Sequence, residues 1–289
     1  MSAPFAATAG LAARRGGVLR SELGKLGAFF RRDFLIAWSY RMAFVTDAVS
    51  LFMQAVIFSF MSRLVDPSRL PTFSGHRASY MEFVAIGIAL GAFVQLGLGR
   101  LSAAIRQEQM IGTLESLLMT PTEPTTIQLG SAVYDLFYIP LRTGAFLAIV
   151  ALTFGLEFHI SGFAPATLIL LLFIPFVWGL GVLSAAAMLT FRRGGNGVGF
   201  LGALLTIGSG AYIPVALFPS WLQGVARLNP ITTAVNGMRE VLIGTAGWGR
   251  AGHICLELFP AAAVSLCVGL VAFRLALRRE RRRGTLGLY

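Results

Sequence analysis

The residues of this sequence that could act chemically are few, and they do not form a catalytic set. Nothing resembles a catalytic triad, a metal-binding cluster or paired carboxylates in a pocket. The nucleotide-binding pattern GxxxxGK[ST] is missing, and the one lysine is Lys25. Cys255 and Cys267 lie in one apolar run, about 18 Å apart along a helix, too far for a disulfide within one chain. We therefore expect no enzyme activity, metal site or cofactor in this chain.

Two pairs of polar side chains do have helical spacing. Glu108 and Glu115 are seven residues apart, which is two helical turns, so they project from nearly the same face. Asp135 and Arg142 have the same spacing, with Tyr138 on much the same face. The second group lies in apolar surroundings and has two interpretations. It is either a functional polar strip or a set of side chains extending toward the membrane interface.

The composition predicts an integral membrane protein. Hydrophobic residues make up 56% of the 289 residues and charged residues only 13%, whereas a soluble domain carries about 25% charge. The net charge of +11 would suit nucleic-acid binding, but the arginines cluster at the ends of apolar runs, as they do in cytoplasmic loops. We therefore predict contact with membrane lipid and no nucleic-acid partner.

Six apolar runs predict six transmembrane helices, because each is long enough to cross a hydrocarbon core of roughly 30 Å. They are residues 42–64, 80–98, 134–156, 164–190, 199–218 and 253–277. The denser arginine clusters precede span one and follow spans two, four and six, so both termini are expected in the cytoplasm. The predicted fold class is an all-α integral membrane protein, with a six-span domain at 42–277.

The segments outside the spans also have interpretable patterns. Residues 1–18 predict a disordered cytoplasmic tail rather than a cleaved signal peptide, and residues 278–289 a basic cytoplasmic tail. In residues 19–41 apolar residues recur every three or four positions, and basic residues occupy many of the positions between them. This pattern predicts an interfacial helix on anionic head groups; a helix packed on a protein core is the alternative.

Two connecting stretches are too structured in pattern to be plain loops. Residues 100–124, RLSAAIRQEQMIGTLESLLMTPTEP, predict a cytoplasmic amphipathic helix with an apolar arc that includes Leu118. Residues 219–246 are too interrupted to span and too apolar for a free loop. With Pro219 and Pro230 at helix starts, they predict two short re-entrant helices on the outer face; an ordinary extracellular loop is the alternative.

These two stretches resemble those of the permease subunits of type-2 ABC exporters, a family of polysaccharide, teichoic acid and drug export permeases. After span two the resemblance rests on Gly112-Thr113-Leu114-Glu115, Leu117-Leu118 and Thr120-Pro121. Before the last span it rests on Phe218-Pro219, Trp221-Leu222, Asn229-Pro230 and Arg239.

The resemblance implies a multi-pass permease of the bacterial cell membrane, driven by a separate ABC ATP-binding subunit that holds ATP and Mg²⁺. Residues 19–41 would be its connecting helix, and residues 100–124 the coupling helix that docks on the ATPase. Two permease copies, a homodimer, would assemble with two ATPases. The residues expected to couple to the ATPase are Glu108, Gly112, Thr113, Glu115 and Leu118. Taken without the resemblance, the two glutamates would be interpreted as a solvated helix face.

Residues for a substrate route are less clearly marked. Phe52 and other aromatic residues of span one could line a path for a lipidic or sugar-bearing substrate, or simply face lipid. Gln54 and Gln95 are weaker candidates, with helix packing as the alternative. By resemblance, Tyr212 and Phe218 would form an exit constriction. The alternatives to an exporter are an energy-independent channel or lipid scramblase, and a membrane-embedded transferase.

Overall fold

The structure is a computed structural model that describes residues 41–66, 70–73, 75–111, 124–190 and 195–283, and residues 27, 31, 34, 35 and 39. The helices in these ranges are α1 (Arg41–Ser62), α2 (Tyr80–Ile111), α3 (Pro124–Phe154), α4 (Phe163–Thr190), α5 (Gly195–Gly208), α6 (Ser220–Leu228), α7 (Pro230–Leu242) and α8 (Trp248–Arg283). A hairpin of β1 (Thr72–Phe73) and β2 (His76–Arg77) and two 3₁₀ turns (Ile160–Gly162 and Val215–Leu217) complete them. The described part is thus mostly helical, consistent with an all-α membrane protein.

Within the described residues, five segments are long and apolar enough to cross a membrane. They are Val45–Ser62, Tyr80–Gly99, Leu136–Phe154, Ile160–Thr190 and Trp248–Arg279. This number of candidate spans, together with the many exposed large apolar side chains on α1, α3 and α8, makes the chain a multi-pass membrane protein.

The sixth apolar run, predicted as a span over 199–218, forms a shorter helix. α5 has 14 residues, which gives a length of about 21 Å, less than a hydrocarbon core of roughly 30 Å. The helix stops at Gly208, and two residues later Gly210 has a φ of 79°, a left-handed conformation that ends helices. The remainder of the run is a turn and a 3₁₀ segment rather than membrane-spanning helix.

α2 is the most buried of the five candidate spans and packs against α1, α3, α4 and α5. Its start is set by a capping box, in which the Ser79 amide donates to Glu82 Oε2 (2.8 Å) and the Glu82 amide donates to Ser79 Oγ (3.2 Å). The helix then continues without a break to Ile111. Span two and the first half of the amphipathic stretch 100–124 are therefore one helix.

α4 and α8 form the most extensive helix pair, and small residues set how closely they approach. A Cβ on Gly179 would collide with Ser265, and one on Gly269 would lie 2.5 Å from the Gly179 carbonyl oxygen. Ser265 Oγ also donates a hydrogen bond to the Phe176 carbonyl (2.8 Å). Close backbone contact of this kind holds helices together in lipid, where apolar burial drives little association.

Three described connections, those between α1 and α2, between α3 and α4, and between α5 and α8, meet at one end of the bundle. The His159 amide donates to the Leu242 carbonyl (2.9 Å), which joins the α3–α4 loop to the end of α7. The rings of His76 and His159 lie 5.9 Å apart, edge to face, so the hairpin reaches the same loop. The hairpin, this loop and the short helices α6 and α7 thus cover the same end of the bundle.

Candidate functional site

An ion pair joins α1 to α3. Arg142 Nε donates to Asp47 Oδ2 at 2.7 Å, and Nη2 approaches the same oxygen at 2.5 Å. The sequence grouped Arg142 with Asp135 and Tyr138 on its own helix; the carboxylate that it contacts here comes from another helix. Tyr138 stacks on Tyr134 with ring centroids 5.4 Å apart, and the side chain of Asp135 lies outside the described residues.

A polar and aromatic cluster surrounds Tyr212, in the turn that follows α5. Gln54 Nε2 donates to the Tyr212 hydroxyl (3.5 Å), and the rings of Phe58 and Tyr212 stack at 5.3 Å, nearly parallel. The Tyr80 hydroxyl donates to the Tyr212 carbonyl (3.2 Å). α1 contacts the side chain of Tyr212 and α2 its backbone carbonyl, so both helices meet the turn after α5 at this residue.

The other residues predicted for the substrate route lie apart from this cluster or at its margin. Phe52 pairs with Phe154 of α3, at 6.2 Å between ring centroids. Gln95 is exposed on α2, next to Gly202 of α5. Phe218 is half-buried, and its carbonyl accepts a hydrogen bond from Gln223 (2.8 Å). Of the five residues, the structure brings Gln54 and Tyr212 into direct contact.

Arg239 of α7 is buried to 1% exposure and connects three parts of the chain. Its Nε and Nη2 both donate to the Phe83 carbonyl of α2 (3.1 and 2.9 Å). Nη1 donates to the Gly210 carbonyl (3.1 Å) and Nη2 to the Ala211 carbonyl (2.8 Å), both in the turn after α5. A fifth bond joins Nη1 to Asn236 Oδ1 (3.2 Å).

The charge of Arg239 is balanced by dipoles rather than by a salt bridge within the described residues. Burial lowers the pKa of the guanidinium from its ordinary value, but arginine starts so high that it stays protonated in proteins. The Cζ atom of Arg239 lies 3.4 Å from the centre of the Phe83 ring, so the guanidinium makes a cation–π contact. Phe83 in turn stacks on Phe73 of the hairpin, at 6.5 Å between centroids.

Asn229-Pro230 connects the short outer helices to α5. Asn229 Oδ1 accepts a hydrogen bond from the Ile231 amide (3.0 Å) and so caps α7, while Pro230 occupies the first turn, where its missing N–H costs nothing. Asn229 Nδ2 donates to the Leu205 carbonyl of α5 (2.8 Å). This dipeptide therefore starts one helix and anchors it to another.

The residues predicted to couple to an ATPase fall outside the geometry above. Glu108 belongs to the helical backbone of α2, but its side chain is not among those described. Gly112, Thr113, Glu115 and Leu118 lie outside the described residues, as do most of residues 19–41. Their roles stay predictions.

A comparison with known families identifies the family to which the chain belongs. The sequence profile of ABC-2 type transporters matches residues 25–243, well over half of the 289-residue chain. The chain belongs to the ABC-2 type transporter family. The match starts before α1 and ends just after α7, so it includes both stretches on which the resemblance to type-2 ABC permeases rested, and it confirms that resemblance.

Two curated ABC transporter permeases have similar sequences. The daunorubicin resistance ABC transporter permease protein DrrB1 of Streptomyces coeruleorubidus is 25% identical over 186 residues, 63% of this chain and 64% of the relative. The probable multidrug ABC transporter permease YbhR of Escherichia coli K12 is 24% identical over 183 residues, 62% of this chain and 47% of the relative. The aligned region is thus about half to two thirds of each relative's length.

Sequence reasoning placed Arg239 in a family motif but did not find its structural role. One signal was available: an arginine inside the apolar stretch VNGMREVLIG is costly to bury unless backbone or side-chain acceptors surround it. The acceptors themselves are carbonyls of α2 and of the turn after α5. Every residue has a backbone carbonyl, so the sequence does not indicate which ones a side chain will contact. Only the packing of α7 on these elements reveals them.

Proposed function

We propose that this chain is the membrane-spanning permease subunit of an ATP-driven ABC exporter. The observation that carries the proposal is the ABC-2 family match over residues 25–243. The family match and the permease names of the two relatives support a separate ABC ATP-binding subunit as the partner. A second permease copy would complete the transporter in the bacterial cell membrane. Both termini would be cytoplasmic, which requires that α5, although shorter than a span, carries the chain from the inner to the outer end of the bundle.

The proposed substrate is a lipidic, glycan or drug-like molecule. The names of the two relatives, one for daunorubicin resistance and one for multidrug transport, support the drug-like class. The cluster of Gln54, Phe58 and Tyr212 supports an amphiphilic molecule, because it offers aromatic faces and hydrogen-bonding groups at one place. The route would run along α1, α2 and the turn after α5.

In the proposed mechanism, ATP binding closes the partner ATPase dimer and displaces the stretch 100–124. Because α2 is continuous from Tyr80 to Ile111, a push on its cytoplasmic end is transmitted as a rigid-body tilt along its whole length. α2 also packs on α1, α4 and α5, so its tilt would change the route between them. Such a coupling needs two arrangements of the helices that both the ATPase and the substrate influence.

Reconstitution with an ATP-binding subunit tests the proposal. The chain should co-purify with such a subunit, and vesicles containing both should move a drug-like probe such as daunorubicin, or a labelled glycolipid, only when ATP is present. Movement that persists without the ATPase would indicate a channel or scramblase instead.

The same vesicles test the coupling residues. Glu108→Arg combined with Glu115→Arg should leave ATP hydrolysis by the complex in place while transport falls about tenfold or more, since two docking carboxylates become repulsive. Glu157→Arg, at an exposed position in the α3–α4 loop, is the matched control and should transport normally. Unchanged transport in the double variant would remove the two glutamates from the coupling site.

A further inference from the structure

The turn after α5 places irregular backbone inside the bundle. α5 ends at Gly208, and residues 209–214 turn back before the 3₁₀ segment at Val215–Leu217. Gly210 and Ala211 are buried, and their carbonyl groups lie beyond the end of the helix. Within a membrane protein such groups must find donors inside the protein. Arg239 supplies those donors, two hydrogen bonds at once.

The guanidinium of Arg239 has no capacity left for a ligand. It carries five N–H donors, and the five hydrogen bonds to Phe83, Gly210, Ala211 and Asn236 use all of them. A lysine could make at most three such bonds, without the planar arrangement of the guanidinium. The role of this buried charge is therefore to hold α2, α7 and the turn in one arrangement.

The turn that Arg239 holds also carries Tyr212. Ala211, whose carbonyl Arg239 binds, directly precedes Tyr212, whose side chain contacts Gln54 and Phe58 of α1. The turn is pressed onto α2, since a Cβ on Gly87 would collide with the Ala211 carbonyl and one on Gly91 would lie 3.1 Å from the Tyr212 hydroxyl. A displacement of this turn must therefore move Tyr212.

Space for such a displacement borders the turn. It is a cavity of about 500 Å³, and its lining includes Phe73 of the hairpin, Pro214 of the turn, Ala216 of the 3₁₀ segment, and Phe83, Arg239, Glu240 and Arg250. Arg250 and Glu240 are themselves joined by an ion pair at 2.5 Å. Arg239 therefore fixes a turn that borders open volume, and its own side chain lines the same cavity.

We propose that Arg239 is a positioning residue of the substrate route. By fixing the carbonyls of Gly210 and Ala211 against α2, it keeps Tyr212 seated on Gln54 and Phe58 and closes the outer end of the route. This inference rests on the proposed function, which supplies the route and the orientation. The inference adds that Arg239 connects the outer helix α7 to the closed outer end of the route.

Thiol labelling from outside intact cells measures the closure. The reporter is Gln95→Cys, with Cys255→Ala and Cys267→Ala removing the native thiols. Gln95 is exposed and follows Gly91 by one helical turn on the same face of α2, on the inner side of Tyr212. A membrane-impermeant maleimide should label it slowly in the parent protein. Ser220→Cys, at an exposed position where α6 begins, reports whether this end faces outside.

Arg239→Lys should raise the labelling rate at position 95 by about tenfold or more, because it removes at least two of the five hydrogen bonds and the loss of one such bond to a charged group corresponds to about tenfold. Tyr212→Ala should raise it at least as much, with Arg239 intact. Gly87→Ala should do the same by pushing the turn away, and it serves if Arg239→Lys does not accumulate. Arg250→Lys is the matched control, the same change at the exposed ion pair, and should label at the parent rate.

Combining variants separates positioning from general loosening. If Arg239 acts through Tyr212, Arg239→Lys adds nothing to the labelling rate of Tyr212→Ala, although it still lowers Tm. Multiplied effects in the double variant, or unchanged labelling in both single variants, would overturn the inference. An unlabelled Ser220→Cys would contradict the proposed orientation, and the inference with it. A labelled Ser220→Cys with an unresponsive position 95 would contradict only the role of Arg239.

Discussion

At the scale of single residues, two arginines show two ways of placing a positive charge inside a membrane protein. Arg142 contacts a carboxylate, Asp47, from a neighbouring helix. Arg239 contacts backbone carbonyls and an aromatic ring. A charged group that is buried away from water needs such compensation. The Arg142–Asp47 ion pair links two spans through side chains, which substitutions can exchange. The contacts of Arg239 depend instead on where the surrounding backbone places its carbonyl groups.

The ion pair should contribute modestly to stability. Asp47→Asn removes the charge opposite Arg142, whose side chain is 10% exposed while that of Asp47 is 42% exposed. Because the Asp47 side chain is partly exposed rather than buried, we expect a loss of about 1 kcal/mol, and a Tm lower by about 2–4 °C in a thermal unfolding assay of the purified protein. The exchanged pair Asp47→Arg with Arg142→Asp should recover most of this loss. An exchanged pair no more stable than the single variant would show that the contact adds nothing.

At the scale of elements, the bundle depends on how closely α4 approaches its neighbours. Gly179 faces Ser265 and Leu266 of α8, and Gly181 faces the Gly97 carbonyl of α2. α4 is therefore in backbone contact with the neighbouring helix on two sides. This arrangement explains why a helix so uniformly apolar has a defined orientation in the bundle: the positions without side chains, rather than an amphipathic pattern, select its buried faces.

Gly179→Ala should test this packing directly. The added methyl group collides with the α8 backbone, so we expect about 1–3 kcal/mol of destabilisation, the usual cost of overpacking. Gly144→Ala is the matched control, because no atom lies within 4 Å of the Cβ it would add to α3. Its stability should equal or slightly exceed that of the parent. Equal stability of the two variants in thermal unfolding would refute close packing at Gly179.

At the scale of the whole molecule, the structure groups the loops that the arginine pattern assigns to one side. The hairpin, the α3–α4 loop and the helices α6 and α7 meet at one end of the bundle. The 36-residue helix α8 starts at Trp248, beside these loops. Arg278, Arg279 and Arg282 lie at its other end. This separation is what the positive-inside rule requires if the arginine-rich end is cytoplasmic.

Labelling of the two ends tests this orientation. In the protein with Cys255→Ala and Cys267→Ala, Trp248→Cys should react with a membrane-impermeant maleimide in intact cells, since Trp248 is exposed at the start of α8. Arg282→Cys, exposed near the end of the same helix, should react only after the cells are permeabilised. The reverse pattern would invert the proposed topology.

The sequence by itself determined the class of the protein, the positions of five candidate spans and the family. Long apolar runs and basic clusters arise from the cost of placing polar groups in lipid, and this cost acts locally along the chain. The tertiary structure decided what depends on distant backbone: the early end of α5, the partner of Arg142, and the carbonyl groups around Arg239. These features could not be predicted, because hydrogen-bond acceptors of the main chain are the same at every residue. Only the packing of helices distant in sequence selects which of them a buried side chain meets.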